Sequence, residues 1–313
     1  MTLAGQGYTF EHMLTTLLGT IKDTIMIITI ASGKGGTGKT TITVNLAASA
    51  PAGEVEVFDC DVEEPNSHIF LKPGNLVKSP VSTMIPKVDM EKCTLCKECE
   101  KICQFSAITI IGKKVLTFPE MCHSCLGCEM VCPEGAITSS SRELGTLIQG
   151  TNPAGIALTW GELRVGEAMS PPLIEQVKKK INSHKTALVD APPGTSCPAI
   201  AALRNSDFAL LAAEPSPFGL NDLAITVEAL RILKVPMGIV ISRDDGESRI
   251  VDEYAARENI EILGRIPFTR EAAAVCSKGL LLRDEIPEMK SLFAQLYSTV
   301  MEKAEKEKGE ARK

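Results

Sequence analysis

Two groups of residues in this sequence are spaced for chemistry. The first is Ser32-Gly33-Lys34-Gly35-Gly36-Thr37-Gly38-Lys39-Thr40-Thr41, which satisfies GxxxxGK[ST] through Gly33, Gly38, Lys39 and Thr40. Four glycines let the backbone curl until successive N–H groups point inward, and the positive end of the following helix adds to them, so the loop makes a concave anion site. Lys39 can then reach the β- and γ-phosphates of a nucleotide, and the Thr40 hydroxyl can join the ligand shell of a Mg²⁺ ion. The pattern is meaningful only between a buried strand and a helix. The apolar run Thr24 to Ala31 and the segment Thr40 to Ala50 predict both.

The second group is the cysteines, of which eight of eleven fall between 93 and 132. They form an internal repeat: Cys93, Cys96, Cys99 and Cys103 recur as Cys122, Cys125, Cys128 and Cys132, each 29 residues on. Ala107-Ile108-Thr109 returns as Ala136-Ile137-Thr138 at the same offset, so whole units repeat. Iron–sulfur clusters, two zinc sites and a disulfide knot are the chemistries that fit; zinc usually pairs two CxxC halves across a longer gap. The doubled CxxCxxCxxxC run resembles the bacterial two-cluster ferredoxins, in which three cysteines of one run and the fourth of the other hold each cluster. That resemblance implies one 4Fe–4S cluster on Cys93, Cys96, Cys99 and Cys132, and a second on Cys122, Cys125, Cys128 and Cys103. Pro133 follows Cys132 as the pattern expects, but Gln104 follows Cys103, a departure that would loosen or expose that side of the second cluster.

Lys34 narrows the class of the phosphate loop. The run GKGGTGKT resembles the deviant Walker A loop of the MinD/ParA/nitrogenase-iron-protein ATPases. There the extra lysine reaches phosphates across a dimer interface, so the resemblance implies a homodimer, or a heterodimer with a related ATPase. It further implies ATP and Mg²⁺ as cofactors, with Gly33, Lys34, Gly35, Gly36, Thr37, Gly38, Lys39, Thr40 and Thr41 around the nucleotide. Asp61 and Asn66 match the family's first switch, and Asp61 would orient the attacking water or sense Mg²⁺ and the γ-phosphate. The strand Thr186 to Asp190 followed by Ala191-Pro192-Pro193-Gly194-Thr195 matches a Walker B element and second switch of the Mrp/MinD form. Asp190 would hold Mg²⁺ through water and the Gly194 N–H would meet the γ-phosphate. Lys34, Lys39, Asp61 and Asp190 are thus the expected catalytic residues.

Two family features are altered. Ser242-Arg243-Asp244-Asp245 stands where relatives commonly place an adenine-binding asparagine, and it echoes a GTPase NKxD with Asp245 as guanine acceptor. The C-terminal CxxC of the Mrp/Nbp scaffold ATPases is missing, with only Cys276 nearby. Cys197 lies seven residues after Asp190, as a cluster-ligating cysteine does in the nitrogenase iron protein. It is either a buried structural thiol or a residue of the dimer interface with a redox or transient metal role. Of His12, His68, His123 and His184, only His123 adjoins a cysteine, and it reads as a neighbour of the cluster rather than a ligand.

The elements that must position these groups alternate strand and helix. Glu54 to Phe58, Thr151 to Trp160, Thr186 to Asp190, Phe208 to Ala213, Gly238 to Ser242 and Ile262 to Ile266 read as strands. Pro171 to Ser183, Leu220 to Leu233 and Ile250 to Glu258 read as helices, and Met289, Leu292, Phe293, Leu296, Tyr297 and Val300 mark a last one. Repeated βα units predict an α/β fold with a mostly parallel, doubly wound sheet. The expected division is a discontinuous ATPase domain over 25–85 and 141–302, with a ferredoxin insert over 86–140. Residues 1–24 form an extension, with Phe10, Met13, Leu14, Leu17, Leu18 and Ile21 at helical spacing, and 303–313 a charged, solvated tail.

At 313 residues with 44% hydrophobic and 4% aromatic content, the chain can bury an aliphatic core. A net charge of −6 argues against a broad nucleic-acid surface or a polybasic membrane patch. No apolar run approaches the ~20 residues that span a bilayer, and the start lacks a secretory signal pattern, which predicts a cytoplasmic protein with reduced cysteines. Together the resemblances imply a Mg-dependent ATPase that couples a nucleotide-driven switch to electron transfer, or to cofactor or cluster assembly on a client protein. A positioning ATPase of the MinD/ParA type with structural clusters, or a metal-delivery NTPase, is the alternative.

Overall fold

The computed structural model describes residues 25–181 and 184–311; the helix expected within 1–24, and His12 with it, lies outside them. A nine-stranded sheet organises the chain. From one edge its order is β11 (Ile262–Pro267), β10 (Met237–Asp244), β9 (Phe208–Ala213), β1 (Ile27–Ala31), β8 (Thr186–Asp190), β2 (Val55–Asp59), β7 (Ala157–Leu163), β6 (Ile137–Thr151) and β3 (Gly74–Val88). The strands from β11 to β7 pair parallel, while β6 and β3 continue the sheet antiparallel.

Both faces of the parallel strands are covered, which is why Phe208-Ala209-Leu210-Leu211-Ala212-Ala213 is apolar without alternation and buried throughout. One face carries Ile28, Ile30, Val57, Leu188, Leu210 and Val240 against α1 (Lys39–Ser49) and α11 (Pro287–Ala311). The other carries Phe58, Val189, Leu211 and Ile241 against α5 (Pro171–Lys178), α6 (Cys197–Leu203), α7 (Pro217–Leu233) and α8 (Ile250–Glu258). Short helices complete the chain: α2 (Ser67–Leu71), α3 (Glu98–Ile102), α4 (Gly127–Met130), α9 (Arg270–Ser277) and α10 (Leu282–Glu285).

Several boundaries differ from the sequence reading for identifiable reasons. Thr151 ends β6 rather than starting a strand to Trp160; the Ile156 N–H donates to Asn152 Oδ1 at 2.8 Å and Gly155 turns at φ 85, making a hairpin. Helix α7 begins at Pro217, not Leu220, because the Gly219 N–H donates to Ser216 Oγ at 3.1 Å, which caps it. The tail expected to be solvated continues α11 to Ala311. Ala304 is fully buried, and Lys308 Nζ pairs with Asp207 at 3.0 Å and donates to the Ile25 carbonyl.

The least foreseen element is the ribbon of β3 and β6. Each strand is 15 residues long, about 50 Å at the usual rise, and their ladder runs from Gly74 opposite Thr151 to Val88 opposite Ile137. Pro80 and Pro86 disguise β3 as loop in the sequence, but it is an edge strand, where proline is tolerated. The ribbon carries the cysteine-bearing lobe beyond the sheet. That lobe has a two-stranded sheet, β4 (Ile108–Ile111) with β5 (Lys114–Thr117), and a small core of Ile108, Ile110, Ile137 and Cys99.

Candidate functional site

The loop 32–39 leaves the C-terminal end of β1 and turns into α1. Gly36 and Gly38 stand at φ 76 and 91, in the left-handed region that glycine enters freely. A methyl group on Gly33 would overlap the Asp222 carbonyl of α7, so that position has no room for a side chain. Lys39 opens α1 with 6% exposure. Its ammonium faces Asp190, Asp61 and Asp59; burial pushes its pKa down while the three carboxylates act in the opposite sense.

Strand topology builds the acidic wall. β8 lies between β1 and β2, which brings Asp190 level with both Ile30 and Asp59 at the strand ends. Thr40 Oγ1 donates to Asp190 Oδ2 at 2.6 Å, while the buried Asp190 Oδ1 has no partner. An orphaned carboxylate oxygen beside a threonine hydroxyl suits a hydrated Mg²⁺, whose charge would offset the burial and the neighbouring Asp59 that push the Asp190 carboxyl well above the usual carboxylate range.

Asp59 is a positioning residue that sequence reasoning passed over. Its carboxylate accepts the N–H groups of Asp61 at 3.0 Å, Asn66 at 3.1 Å and Ser67 at 3.0 Å, and so shapes the whole first-switch turn. Burial raises its pKa and those three N–H groups oppose the rise. An acid in the last position of an apolar strand was the available signal. Asp61 itself is half-buried, and loss of solvent, then the Asp59 charge, push its carboxyl up to about 6. Asn66 is exposed and its side chain makes no capping bond to α2.

The second switch is held away from the position expected of it. The Gly194 N–H donates to the Ser32 carbonyl at 2.9 Å, so meeting a γ-phosphate requires that bond to break. Lys34 is likewise engaged within its own chain, 3.0 Å from Glu214 after β9. A cleft of about 490 Å³ between the switches is lined by Asp61, Glu63, Glu64, Ser170, Pro193 and Ser196. Cys197, at the start of α6 beside this cleft, is exposed, which removes the reading of it as a buried structural thiol.

Beside Gly38 and Thr41, a pocket of about 170 Å³ is lined by Ser242, Arg243, Pro267, Phe268, Thr269 and Cys276. Its place fits a base. Neither aspartate of the NKxD echo lines it: Asp244 pairs with Arg265 at 3.2 Å, and Asp245 Oδ1 accepts the Glu247 and Ser248 N–H groups at 3.0 Å. Burial pushes the Cys276 thiol up, and its Sγ lies 4.0 Å from Thr41 Oγ1.

In the distal lobe none of the eight cysteines is joined in a disulfide. Cys93, Cys96, Cys99 and Cys132 line one cavity; Cys103, Cys122, Cys125 and Cys128 line another. The Ala107 N–H donates to Cys103 Sγ and the Ala136 N–H to Cys132 Sγ, each at 3.3 Å. Among the described residues no three His, Cys, Asp or Glu side chains are grouped tightly enough to hold a single metal ion. His123 stacks on Phe105 with centroids 3.4 Å apart at the second cavity, and His68 stacks on Trp160 away from either.

A mostly parallel sheet whose first strand feeds a glycine-rich loop, flanked by strand-end acids, defines a P-loop nucleotide-binding protein. Residues 28–282 match the family described as the CobQ/CobB/MinD/ParA nucleotide binding domain, and the chain belongs to it. It is 33% identical over 283 residues to the uncharacterized protein MJ0578 of Methanocaldococcus jannaschii, covering 89% of this chain and 97% of that one. An iron–sulfur cluster carrier protein of the same organism is 24% identical over 299 residues, 90% of this chain and 86% of that protein. Among solved structures, the septum site-determining protein MinD of Pyrococcus horikoshii, complexed with Mg-ADP, superposes with a TM-score of 0.56 at 19% identity, covering 88% of this chain and 96% of that one. Among the described residues no helix is long and apolar enough to cross a membrane.

Proposed function

We propose that this protein is a Mg-dependent ATPase carrying two 4Fe–4S clusters, and that its nucleotide state governs electron transfer to a client protein or cofactor assembly on one. The observation that carries the cluster assignment is the grouping of the cysteines. Each cavity collects three from one run and the fourth from the other, the crossed sharing of a two-cluster ferredoxin. The N–H donors on Cys103 and Cys132 suit thiolates, whose charge such bonds stabilise. The small aliphatic core of the lobe also fits a fold that needs inorganic staples. When bound, the clusters supply one-electron redox chemistry.

On the nucleotide side, Lys39 and the loop N–H groups would hold the phosphates, and Thr40 with Asp190 would hold Mg²⁺. Asp61, with its carboxyl near 6, is suited to orient and accept a proton from water near neutral pH. ATP is favoured over GTP because neither Asp244 nor Asp245 lines the base pocket. Binding of a γ-phosphate would draw Gly194 from Ser32 and Asp61 toward the nucleotide, an ordering of switches by phosphate contacts. A homodimer, or a heterodimer with a related ATPase, would free Lys34 from Glu214 for a phosphate of the facing subunit.

The test uses anaerobically purified protein. Iron and sulfide are measured, then an EPR-monitored redox titration is run without nucleotide, with MgADP and with a non-hydrolysable ATP analogue. About eight irons and a nucleotide-dependent potential or lineshape are expected. Eight irons with no nucleotide response would replace coupling with a scaffold role, and zinc in place of iron would overturn the cluster assignment.

A further inference from the structure

We propose that Glu167, Arg142, Thr83 and Ser124 are positioning residues that link the first switch to the second cysteine cavity through a hydroxyl bond with no counterpart at the first. This inference rests on the proposed nucleotide control of the clusters. It names the residues through which that control acts.

The link starts in the turn that holds Asp61. Glu63 Oε1 accepts from Ser170 Oγ at 2.9 Å, and the neighbouring Val62 carbonyl accepts the Leu163 N–H at 2.9 Å. Ser170 is buried, and it closes the loop that leaves β7 and turns back toward α5. Within that loop the Glu167 carboxylate is fully buried and makes a two-pronged bond with Arg142 of β6, its Oε1 accepting from Nη2 at 3.0 Å and its Oε2 from Nη1. The Arg164 N–H, from the same loop, donates to the Leu144 carbonyl at 3.0 Å. Movement of the switch turn is therefore passed to β6 through a fixed fork.

Across the ribbon, Arg142 is the register partner of Thr83. Ser124 Oγ donates to the Met84 carbonyl at 2.6 Å, which spends its one proton, so Thr83 Oγ1 donates to Ser124. Ser124 lies between Cys122 and Cys125 at φ 56 and lines the second cavity. The chain of contacts thus ends inside the loop that carries two of the four thiols.

The internal repeat supplies the control. The residue 29 positions before Ser124 is Leu95, with the same left-handed backbone at φ 58, but its side chain packs into the small core of the lobe. One repeat has a hydroxyl tied to the ribbon and the other has a hydrocarbon at the same place. A buried carboxylate–guanidinium pair adds little stability over apolar residues of similar size, because desolvation offsets attraction. Its fixed geometry is what a positioning role needs.

The test is the nucleotide response of the two clusters, resolved by EPR potential and lineshape in the intact protein. In wild type, a non-hydrolysable ATP analogue with Mg²⁺ is expected to shift one of the two signals. Thr83→Val and Ser124→Ala should each cut that shift at least fivefold, with iron content held and basal ATP hydrolysis within twofold of wild type. The double variant should lose no more than Ser124→Ala alone, since that change already removes the Thr83 bond together with the one to the Met84 carbonyl. Arg142→Lys and Glu167→Gln approach the link from the ATPase side and should have the same effect. A full shift retained in Thr83→Val and in Arg142→Lys, or equal shifts of both signals in wild type, overturns the link while nucleotide control stands. A wild-type protein with no shift removes the control itself, and the link with it.

Discussion

Replacing Asp61 by Asn should make the nucleotide-free protein more stable at neutral pH, and the gain should vanish in acid. Asp61 titrates near 6 in the folded chain because burial and the Asp59 charge disfavour its ionised form, against an ordinary value of 3.8. Between those two values the folded state holds a proton that the unfolded chain has released. Stability therefore falls as pH rises from about 4 to about 6 and levels off above. The full difference, roughly two pKa units, corresponds to about 3 kcal/mol, and the partial exposure of the side chain reduces it to about 1–2 kcal/mol. Asn carries no charge to bury, so it recovers this amount at pH 7 and nothing near pH 4. For a domain of this size that is a rise of about 2–6 °C in Tm. Thermal melts followed by circular dichroism at intervals from pH 4 to pH 8, with wild type and variant in parallel, isolate the contribution as the difference in Tm. A difference that is flat with pH, or a variant less stable at pH 7, would refute the reasoning. The same variant should hydrolyse ATP at least a hundredfold more slowly, the usual loss when a positioned acid–base group is removed. Stability and activity thus move in opposite directions at one residue.

Other outcomes follow from single contacts. Thr40→Val removes the hydroxyl bonded to Asp190 and leaves that carboxylate unpartnered; nucleotide affinity measured by calorimetry should lose its dependence on Mg²⁺. Gly33→Ala should abolish nucleotide binding and destabilise the fold by several kcal/mol, since the methyl meets backbone of α7 rather than a mobile side chain; an unchanged Tm would contradict the close packing there. Glu214→Gln frees Lys34 from a partly exposed pair worth about 1 kcal/mol, so nucleotide-dependent self-association, followed by analytical ultracentrifugation, should strengthen by no more than about fivefold. Lys308→Ala removes the contacts of α11 to Asp207 and the Ile25 carbonyl and should cost about 1–2 kcal/mol in urea unfolding.

Local chemistry was legible in the sequence because its signals are local. The phosphate loop is a contiguous run with fixed glycine positions, and the cysteine repeat is a fixed spacing. The parallel strands were legible because burial on both faces leaves unbroken apolar runs such as Phe208 to Ala213. Their ends were less so, since turns such as Asn152 to Ile156 depend on a single side-chain bond.

What only the tertiary structure decided is the set of relations between distant segments. Strand order puts Asp59 and Asp190 side by side and turns a strand-end acid into the anchor of the turn that carries Asp61. Register across the ribbon puts Arg142 opposite Thr83, whose hydroxyl meets Ser124 in a cysteine loop more than 40 residues away in sequence. Engagement of Gly194 by Ser32, and of Lys34 by Glu214, joins segments that lie more than 150 residues apart in sequence and has no local signal. Sequence fixes which groups can react and how far apart along the chain they stand. The sheet's pairing and register, set by burial summed over the whole domain, decide which of them meet.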